Sequence, residues 1–293
     1  QLLYLKAENT APIVVKADGL ALGKGVIIAQ TVDEAVDAVK SIMEDKQFGE
    51  SGNRIVIEEF LTGPEVSVLS FCDGKTVVPM VSSMDHKRAY DNDEGLNTGG
   101  MGTIAPNPYY TKAIAEECME TIFLPTINAM ISEGRPFKGC LYFGLMLTTN
   151  GAKVIEYNCR FGDPETQVVL PLLDTDLVEI FEAIYDERLA DIEIKWKDGS
   201  AACVVMASGG YPKKYPTGIE MLGMDEKGQV NGAFVYHAGT KLTDGKLLTA
   251  GGRVLGVTST GESLQEAISK AYIAVDKIKF DGEHFRKDIG QKA

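Results

Sequence analysis

Apolar residues recur along the chain with two different periods, and the switches between them mark out its elements. "PIVVKA" and "VIIAQ" are short, β-branched and apolar, so both are predicted strands, with a glycine-rich stretch between them. "TVDEAVDAVKSIMED" takes up the helical period, with Val32, Ala35, Val36, Val39, Ile42 and Met43 on one face. Thr31, followed three residues later by Glu34, makes a capping box at its start. "RIVIEEFL" returns to strand character, and Thr62-Gly63-Pro64 breaks the chain after it.

A larger α+β stretch follows from Glu65. "EVSVLSFCDGKTVVPMVSS" alternates in strand fashion through an Asp73-Gly74 turn. "DHKRAYDNDEGLNTGGMG" has no usable period and is expected to be a long functional loop. "TKAIAEECMETIFLPTINAMISEG" is helical, with a kink predicted at Pro125. "GCLYFGLMLTTNGAKVIEYNCRF" is a predicted hairpin turning at Asn150-Gly151. "DPETQVVLPLLDTDLVEIFEAIYDE" is expected to open a helical region with Asp163 as cap and Pro164 in the first turn. From about residue 193 the pattern changes to short strands and many glycines. One late helix, capped by Ser263 and Glu266, has Leu264, Ala267, Ile268, Ala271, Tyr272 and Val275 on its core face. The expected division is a small lobe over 1–62, a larger lobe over 63–192 and a mostly β domain over 193–293.

Composition narrows the class. With 44% hydrophobic and 24% charged residues in 293, the chain reads as an ordinary globular protein of more than one domain. No apolar run approaches the roughly 18 residues of a membrane span, so no membrane partner is expected. A formal net charge of −13 repels phosphate backbones, which argues against nucleic acid. The five cysteines are widely spaced without a C-x-x-C, which fits neither a disulfide framework nor a zinc site and points to a cytoplasmic setting. "QLLYLKAENT" reads as the tail of a helix, so earlier sequence is expected upstream of Gln1.

Candidate chemistry gathers at four segments. "KADGLALGKGV" is not a P-loop, because no hydroxyl follows Lys24, and it is not a dinucleotide fingerprint, because a strand rather than a helix follows it. A glycine loop between two strands is either a flap whose backbone N–H groups cover phosphates, with Lys16 and Lys24 adding charge, or an ordinary hairpin with exposed lysines. In "VIEYNCRFGDPETQ", Glu156, Asn158 and Arg160 leave one face of a strand, while Ile155 and Tyr157 point the other way. A carboxylate and an amide oxygen are hard ligands suited to Mg²⁺, and an arginine beside them can clamp a carboxylate or phosphate. The alternative is a solvated strand edge with Arg160 paired to Glu156. "IVIEEFLTGPE" offers a strand exit suited to an adenine edge, with Glu65 placed to accept from ribose hydroxyls. "DHKRAYDNDEGLNTGGMG" sets His86, Lys87 and Arg88 beside Asn97, Thr98 and glycines, which favours anion binding over a plain surface loop. No G-x-S-x-G or H-E-x-x-H is present, so nucleophilic hydrolase and zinc chemistry are set aside.

"VVKADGLALGKGV", "IEEFLTGPEVS", "DHKRAYDNDEGLNTGGMG" and "VIEYNCRFGDPETQ", in that order, resemble the phosphoribosylamine–glycine ligase (glycinamide ribonucleotide synthetase) family of the ATP-grasp superfamily. The likeness runs from residue 11 to the closing "FRKDIGQKA"; the last two motifs are specific to this ligase. It implies an α+β ATP-grasp fold of two lobes with a mostly β C-terminal domain. It also implies ATP as cosubstrate with Mg²⁺ or Mn²⁺, and glycine and 5-phosphoribosylamine as the small-molecule partners. The implied reaction passes through glycyl phosphate to glycinamide ribonucleotide, ADP and phosphate, which needs no protein nucleophile. By the same likeness, Lys16 and Lys24 would hold ATP phosphates, and Glu58, Glu59, Phe60 and Leu61 would form the adenine hinge. Glu65 would bind ribose, and Arg88 and Asn97 would reach the nucleotide. Glu156 and Asn158 would ligate metal. Arg160, with Lys87 the candidate catalytic residue, would face glycine and its acyl phosphate together with the "GDPET" turn.

Two departures from the family stand out. Its N-terminal Rossmann-like domain is missing from this sequence, and "LYFGLMLT" offers no acidic third metal ligand. The competing readings are an ATP-grasp ligase with another amine acceptor and a module that binds ATP without turnover.

Overall fold

The computed structural model describes residues 11–21 and 25–291. They divide into two compact units at the Thr62/Gly63 junction, the break marked by Thr-Gly-Pro. In the first unit, strands β1 (Ile13–Ala17), β2 (Val26–Ala29) and β3 (Ile55–Glu59) form an antiparallel sheet in the order β2-β1-β3. Helix Val32–Met43 covers one face. Ile13, Val15, Ala35, Val39 and Ile42 make the core, so the helical stripe and the alternation of β1 meet. Thr31 Oγ1 accepts from the Glu34 N–H at 3.1 Å. The Glu34 carboxylate reaches back to the Gln30 N–H at 2.7 Å, one residue before the position a standard capping box uses.

The second unit begins with β4 (Glu65–Asp73) and β5 (Val77–Pro79). The Asp73 carboxylate folds the turn between them by accepting from Lys75 and Thr76 N–H at 3.0 and 2.7 Å. Next in the chain are β6 (Met84–Asp85), β7 (Arg88–Tyr90), β8 (Glu94–Asn97) and β9 (Gly102–Ala105). The segment expected to be an irregular loop is therefore largely paired: β7 and β8 form a ribbon with Arg88 opposite Asn97. Its turn has positive φ at Asn92 (60°) and Asp93 (57°). Glu94–Asn97 is exposed throughout, so no apolar alternation marks the strand in the sequence.

The helix expected to kink at Pro125 is interrupted just before it. Lys112–Cys118 passes through a π-helical turn, Met119–Phe123, into Leu124–Ser132. The wider turn places the proline at the start of a new segment, where its missing N–H and bulky ring are tolerated. The hairpin β10 (Lys138–Thr148) and β11 (Gly151–Asn158) turns at Asn150-Gly151 and completes a sheet ordered β11-β10-β4-β5. That sheet is covered on both sides. Val66, Val68, Leu141, Phe143 and Leu145 meet Ile122, Phe123 and Ile127 on one face. Leu69, Phe71, Cys140 and Tyr142 meet Val168, Ile180 and Ile184 on the other.

Asp163 does not cap a helix as expected. The region breaks into Thr166–Val169, a 3₁₀ turn at Leu170–Leu172, and Leu177–Tyr185. The side-chain cap is Asp176, which accepts from the Val178 N–H at 2.7 Å. Pro171 lies within the 3₁₀ turn and Asp176 competes for the helix start, which is why one long helix does not form.

The remaining strands are β12 (Ser200–Ser208), β13 (Phe234–His237), β14 (Thr240–Thr243), β15 (Lys246–Thr249), β16 (Arg253–Gly261) and β17 (Glu283–His284). Helix Leu264–Val275 packs on them, capped by Ser263. The sheet order is β13-β16-β12-β9-β6, with β17 beside β12. The residues from 193 onward pack into the same compact unit as residues 63–192. Gly102–Ala105 is buried and pairs with Ala201–Val204, so one sheet joins both stretches.

Candidate active site

The register of the β11-β10-β4 sheet sets which side chains share a face. Asn158 lies opposite Tyr142 and Glu156 opposite Gly144. Across β10, Gly144 faces Ser67 and Tyr142 faces Leu69. Partners directly opposite in an antiparallel pair point the same way, so Glu156, Asn158, Tyr142 and Ser67 emerge on one side. A Cβ on Gly144 would meet Glu156 Cγ at 3.1 Å; the glycine leaves room for the carboxylate.

A bulge explains why this face is polar. The register shifts between Gly144 and Leu145, so that Val154 pairs with Leu145 and Ile155 is the added residue. Ala152 and Val154 then pack against the helices on one side while Glu156 turns to the other. Tyr157 also takes the helix side, edge-on to Phe143 at 5.5 Å. Asn158 Nδ2 donates to Glu156 Oε1 at 3.2 Å, and Arg160 Nη2 reaches Asn158 Oδ1 at 3.5 Å while Nη1 donates to the Phe161 carbonyl at 2.9 Å. Glu156, Asn158 and Arg160 are thus brought together, with Arg160 on Asn158 rather than on Glu156. An exposed carboxylate beside an amide oxygen fits a hard divalent cation that takes its other ligands from phosphate and water. Among the described residues, no group of three or more His, Cys, Asp and Glu gathers as an all-protein metal site.

Beside this face lies a buried polar cluster that sequence reasoning missed. Ser67 Oγ is 2.8 Å from the Tyr142 hydroxyl and 3.3 Å from Glu165 Oε1, and Glu165 is buried. Lys87 pairs with Glu65 at 2.7 Å. Asp85 Oδ1 is buried without a hydrogen-bond partner. Burial, then the Glu165 carboxylate, pushes Asp85 well above the usual carboxylate range, against the pull of Lys87. Burial opposes the Lys87 charge, but Glu65 outweighs it and leaves that ammonium above its ordinary value. Burial, then Glu165, also raises the Tyr142 phenol. Asp85 and Glu165 sit inside quoted motifs, yet nothing in their spacing signals that two segments so far apart meet.

The basic triplet is dispersed by the fold. His86 is buried, accepts the Gly290 N–H at Nε2 (3.1 Å) and has Nδ1 3.2 Å from the Gly102 carbonyl. Burial, then Arg286, lowers its pKa to about 4, so it stays neutral and structural. Arg88 donates to the Gly95 carbonyl at 2.7 Å, and Asn97 stands opposite it on the exposed ribbon. Neither joins the Glu156 face through a hydrogen bond or ion pair. Three free cations for an anion are therefore not what the structure presents. In the first unit, Lys16 forms an ion pair with Glu58 across β1 and β3. The ladder of β3 ends at Glu59, and Phe60 and Leu61 continue beyond it without strand pairing. Lys24 lies outside the described residues.

Comparison with known proteins identifies the family. The family model described as "Phosphoribosylglycinamide synthetase, ATP-grasp (A) domain" matches residues 2–166, and its C-domain counterpart matches residues 201–292. A phosphoribosylamine–glycine ligase from Caldanaerobacter subterraneus is 49% identical over 98% of this chain and 68% of that protein. The trifunctional purine biosynthetic protein adenosine-3 of Gallus gallus is 49% identical over 99% of this chain and 29% of its own length. The crystal structure of the Thermotoga maritima phosphoribosylamine–glycine ligase superposes with a TM-score of 0.87 at 35% identity, covering 99% of this chain and 71% of that one. A biotin carboxylase domain from Hydrogenobacter thermophilus, solved with MgADP, shares the fold at 14% identity and a TM-score of 0.68, covering 96% of this chain and 60% of that one.

The fold is that of an ATP-grasp enzyme. Within that class, the chain belongs to the phosphoribosylglycinamide synthetase family, ATP-dependent ligases of purine biosynthesis.

Proposed function

We propose that this chain joins glycine to 5-phosphoribosylamine at the expense of ATP, by way of glycyl phosphate. The observation that carries the reading is the Glu156–Asn158–Arg160 face running straight into the Gly162-Asp163-Pro164-Glu165 turn. Glu156 and Asn158 would hold Mg²⁺ or Mn²⁺, which when bound neutralises charge on the transferring phosphoryl group. Arg160 supplies a fixed cation beside the same oxygens and orients the carboxylate that receives the phosphoryl group. The ribosylamine nitrogen then displaces phosphate from the mixed anhydride. Catalysis here is positioning plus charge neutralisation, which agrees with a site that offers no activated nucleophile.

Lys16, Lys24, Glu58 and the Glu59–Leu61 exit from β3 serve the nucleotide in this reading, with Glu65, Arg88 and Asn97 as further nucleotide contacts and Lys87 on the substrate side. The Lys16–Glu58 and Lys87–Glu65 pairs mean that each lysine exchanges or shares a carboxylate when phosphate arrives. The setting is cytoplasmic, consistent with five free cysteines.

The test is ADP and phosphate release by the full chain with each substrate omitted in turn. Release that needs both glycine and 5-phosphoribosylamine supports the reading. Release with a different amine, or nucleotide binding without turnover, overturns it.

A further inference from the structure

Arg253 opens β16, far in sequence from the motifs above, and touches two of them at once. Its Nη1 donates to the Gly99 carbonyl at 2.7 Å and the Asp163 carbonyl at 2.9 Å, with the Gly100 carbonyl at 3.5 Å. Its Nη2 donates to Asp163 Oδ2 at 3.0 Å. One guanidinium thus ties the Gly99-Gly100 segment to the Gly162-Asp163-Pro164 turn. The Tyr211 hydroxyl adds a third tether by accepting from the Gly99 N–H at 3.1 Å.

The tied segments leave no slack. Gly100 has φ +111°, and a Cβ there would lie 2.5 Å from Pro164 Cδ and 2.6 Å from Asp85 Oδ1. Arg253 therefore holds the turn against the loop from one side while Gly100 wedges between Pro164 and Asp85 on the other. The turn needs such a tether. Glu156 and Asn158 are held by the β11 ladder, which ends at Asn158, whereas Asp163 lies beyond it. The fixed planar fork of a guanidinium suits carbonyls from two segments and a carboxylate together.

We propose that Arg253 is a positioning residue for the glycine end of the reaction: it sets the 162–165 turn relative to the Glu156–Asn158–Arg160 face without touching nucleotide. This rests on the function proposed above, in which the turn faces glycine. Loss of the tether should then weaken glycine use selectively, because misplacing one reacting group by about an ångström costs far more than the lost contact.

The experiment compares Arg253→Met, Arg253→Lys and Asp163→Asn with wild type in the full chain. Arg253→Met should raise KM for glycine at least about tenfold and KM for ATP by less than about threefold. Arg253→Lys should recover little, since one ammonium cannot reproduce the fork. Asp163→Asn, which keeps the carbonyl contacts of Nη1, should shift glycine KM in the same direction by less. Methylguanidinium added to Arg253→Ala should restore part of the glycine affinity. Equal rises in both KM values, or full recovery by Arg253→Lys, overturn the proposal. Hydrogen exchange reads the tether apart from the substrate assignment: amides at 99–101 and 162–166 should speed up together in Arg253→Met. If they do, while wild type shows no glycine-dependent turnover, the function reading fails and the tether stands. If exchange at both segments matches wild type, the tether itself is wrong.

Discussion

Arg286 grips Asp288 with two parallel hydrogen bonds, Nε to Oδ1 at 2.7 Å and Nη2 to Oδ2 at 2.8 Å. Its Nη1 reaches Asp93 at 2.9 Å and the Arg88 carbonyl at 3.2 Å, and the Arg286 side chain is 0% exposed. Asp288 Oδ2 in turn accepts from the Asn92 N–H at 2.8 Å. The C-terminal segment thereby pins the β7–β8 ribbon through charge that has left water. Arg286→Met should cost about 3–5 kcal/mol, because it strands the largely buried Asp288 carboxylate rather than merely deleting a contact. Denaturant unfolding checks the magnitude, and an Arg286→Met/Asp288→Asn cycle should show strong coupling. Burial opposes ionisation of Asp288, but the Arg286 hydrogen bonds prevail and hold its pKa at about 2, below the ordinary 3.8. This contribution is therefore present above pH 3.8 and lost as pH falls through about 2.

His86 makes the protein acid-sensitive at a higher pH. Its folded pKa of about 4 lies below the ordinary 6.5, so the unfolded chain binds the extra proton between those values. Stability attributable to His86 is therefore complete above 6.5 and declines as pH falls toward 4, by on the order of 3 kcal/mol. Asp85, raised by burial, works in the opposite direction, since it favours folding when protonated. Comparing wild type with His86→Gln across pH 4–7 separates them. The stability difference between the two should narrow on acidification, and a constant difference would contradict the assignment.

Glu156→Gln keeps the shape of the β11 face but removes its formal negative charge. If Glu156 holds a divalent cation, activity should fall at least tens-fold and the metal concentration for half-maximal rate should rise. Fold and unfolding midpoint should change little, since Glu156 is exposed. Metal titration of turnover in the full chain measures this directly.

The common face of Glu156 and Asn158 is readable from two-residue spacing alone. Which residues lie behind it is not, because the bulge at Ile155 moves Val154 to the opposite side from Glu156 despite the same spacing. The helix at Val32–Met43 is legible because cap and apolar stripe agree. The β7–β8 ribbon is not, because its order comes from Arg286, 193 residues from Asp93, rather than from its own pattern. Arg253 is invisible for the same reason: its partner Asp163 is 90 residues away, and its neighbours say only that a glycine-rich turn precedes a strand. His86 illustrates the converse. Beside Lys87 and Arg88 it reads as a cation, and only burial reveals that it is held neutral.

Lys87 is the cation of a cluster that also holds Glu65, Asp85 and Glu165. Glu65 pairs with it at 2.7 Å, Asp85 is adjacent in charge and Glu165 lies nearby, hydrogen-bonded to Ser67. Lys87→Met should therefore lose activity and stability, and the stability loss should depend on pH. Without the ammonium, the one influence that favours an ionised Asp85 most is gone, and its pKa climbs further. An acid whose folded pKa lies above its unfolded value stabilises the fold when protonated and loses that stability as pH rises. The penalty of Lys87→Met should accordingly be larger at pH 8 than at pH 5, the reverse of the trend expected from His86. Adding Glu65→Gln removes the carboxylate that Lys87 was neutralising, so the double variant should regain part of the stability at pH 8 and little of the activity. Urea unfolding of the two variants at both pH values tests this, with phosphate release measured alongside. A penalty for Lys87→Met that is flat with pH would mean that Asp85 does not respond to Lys87, and that the cluster is not electrostatically coupled as described.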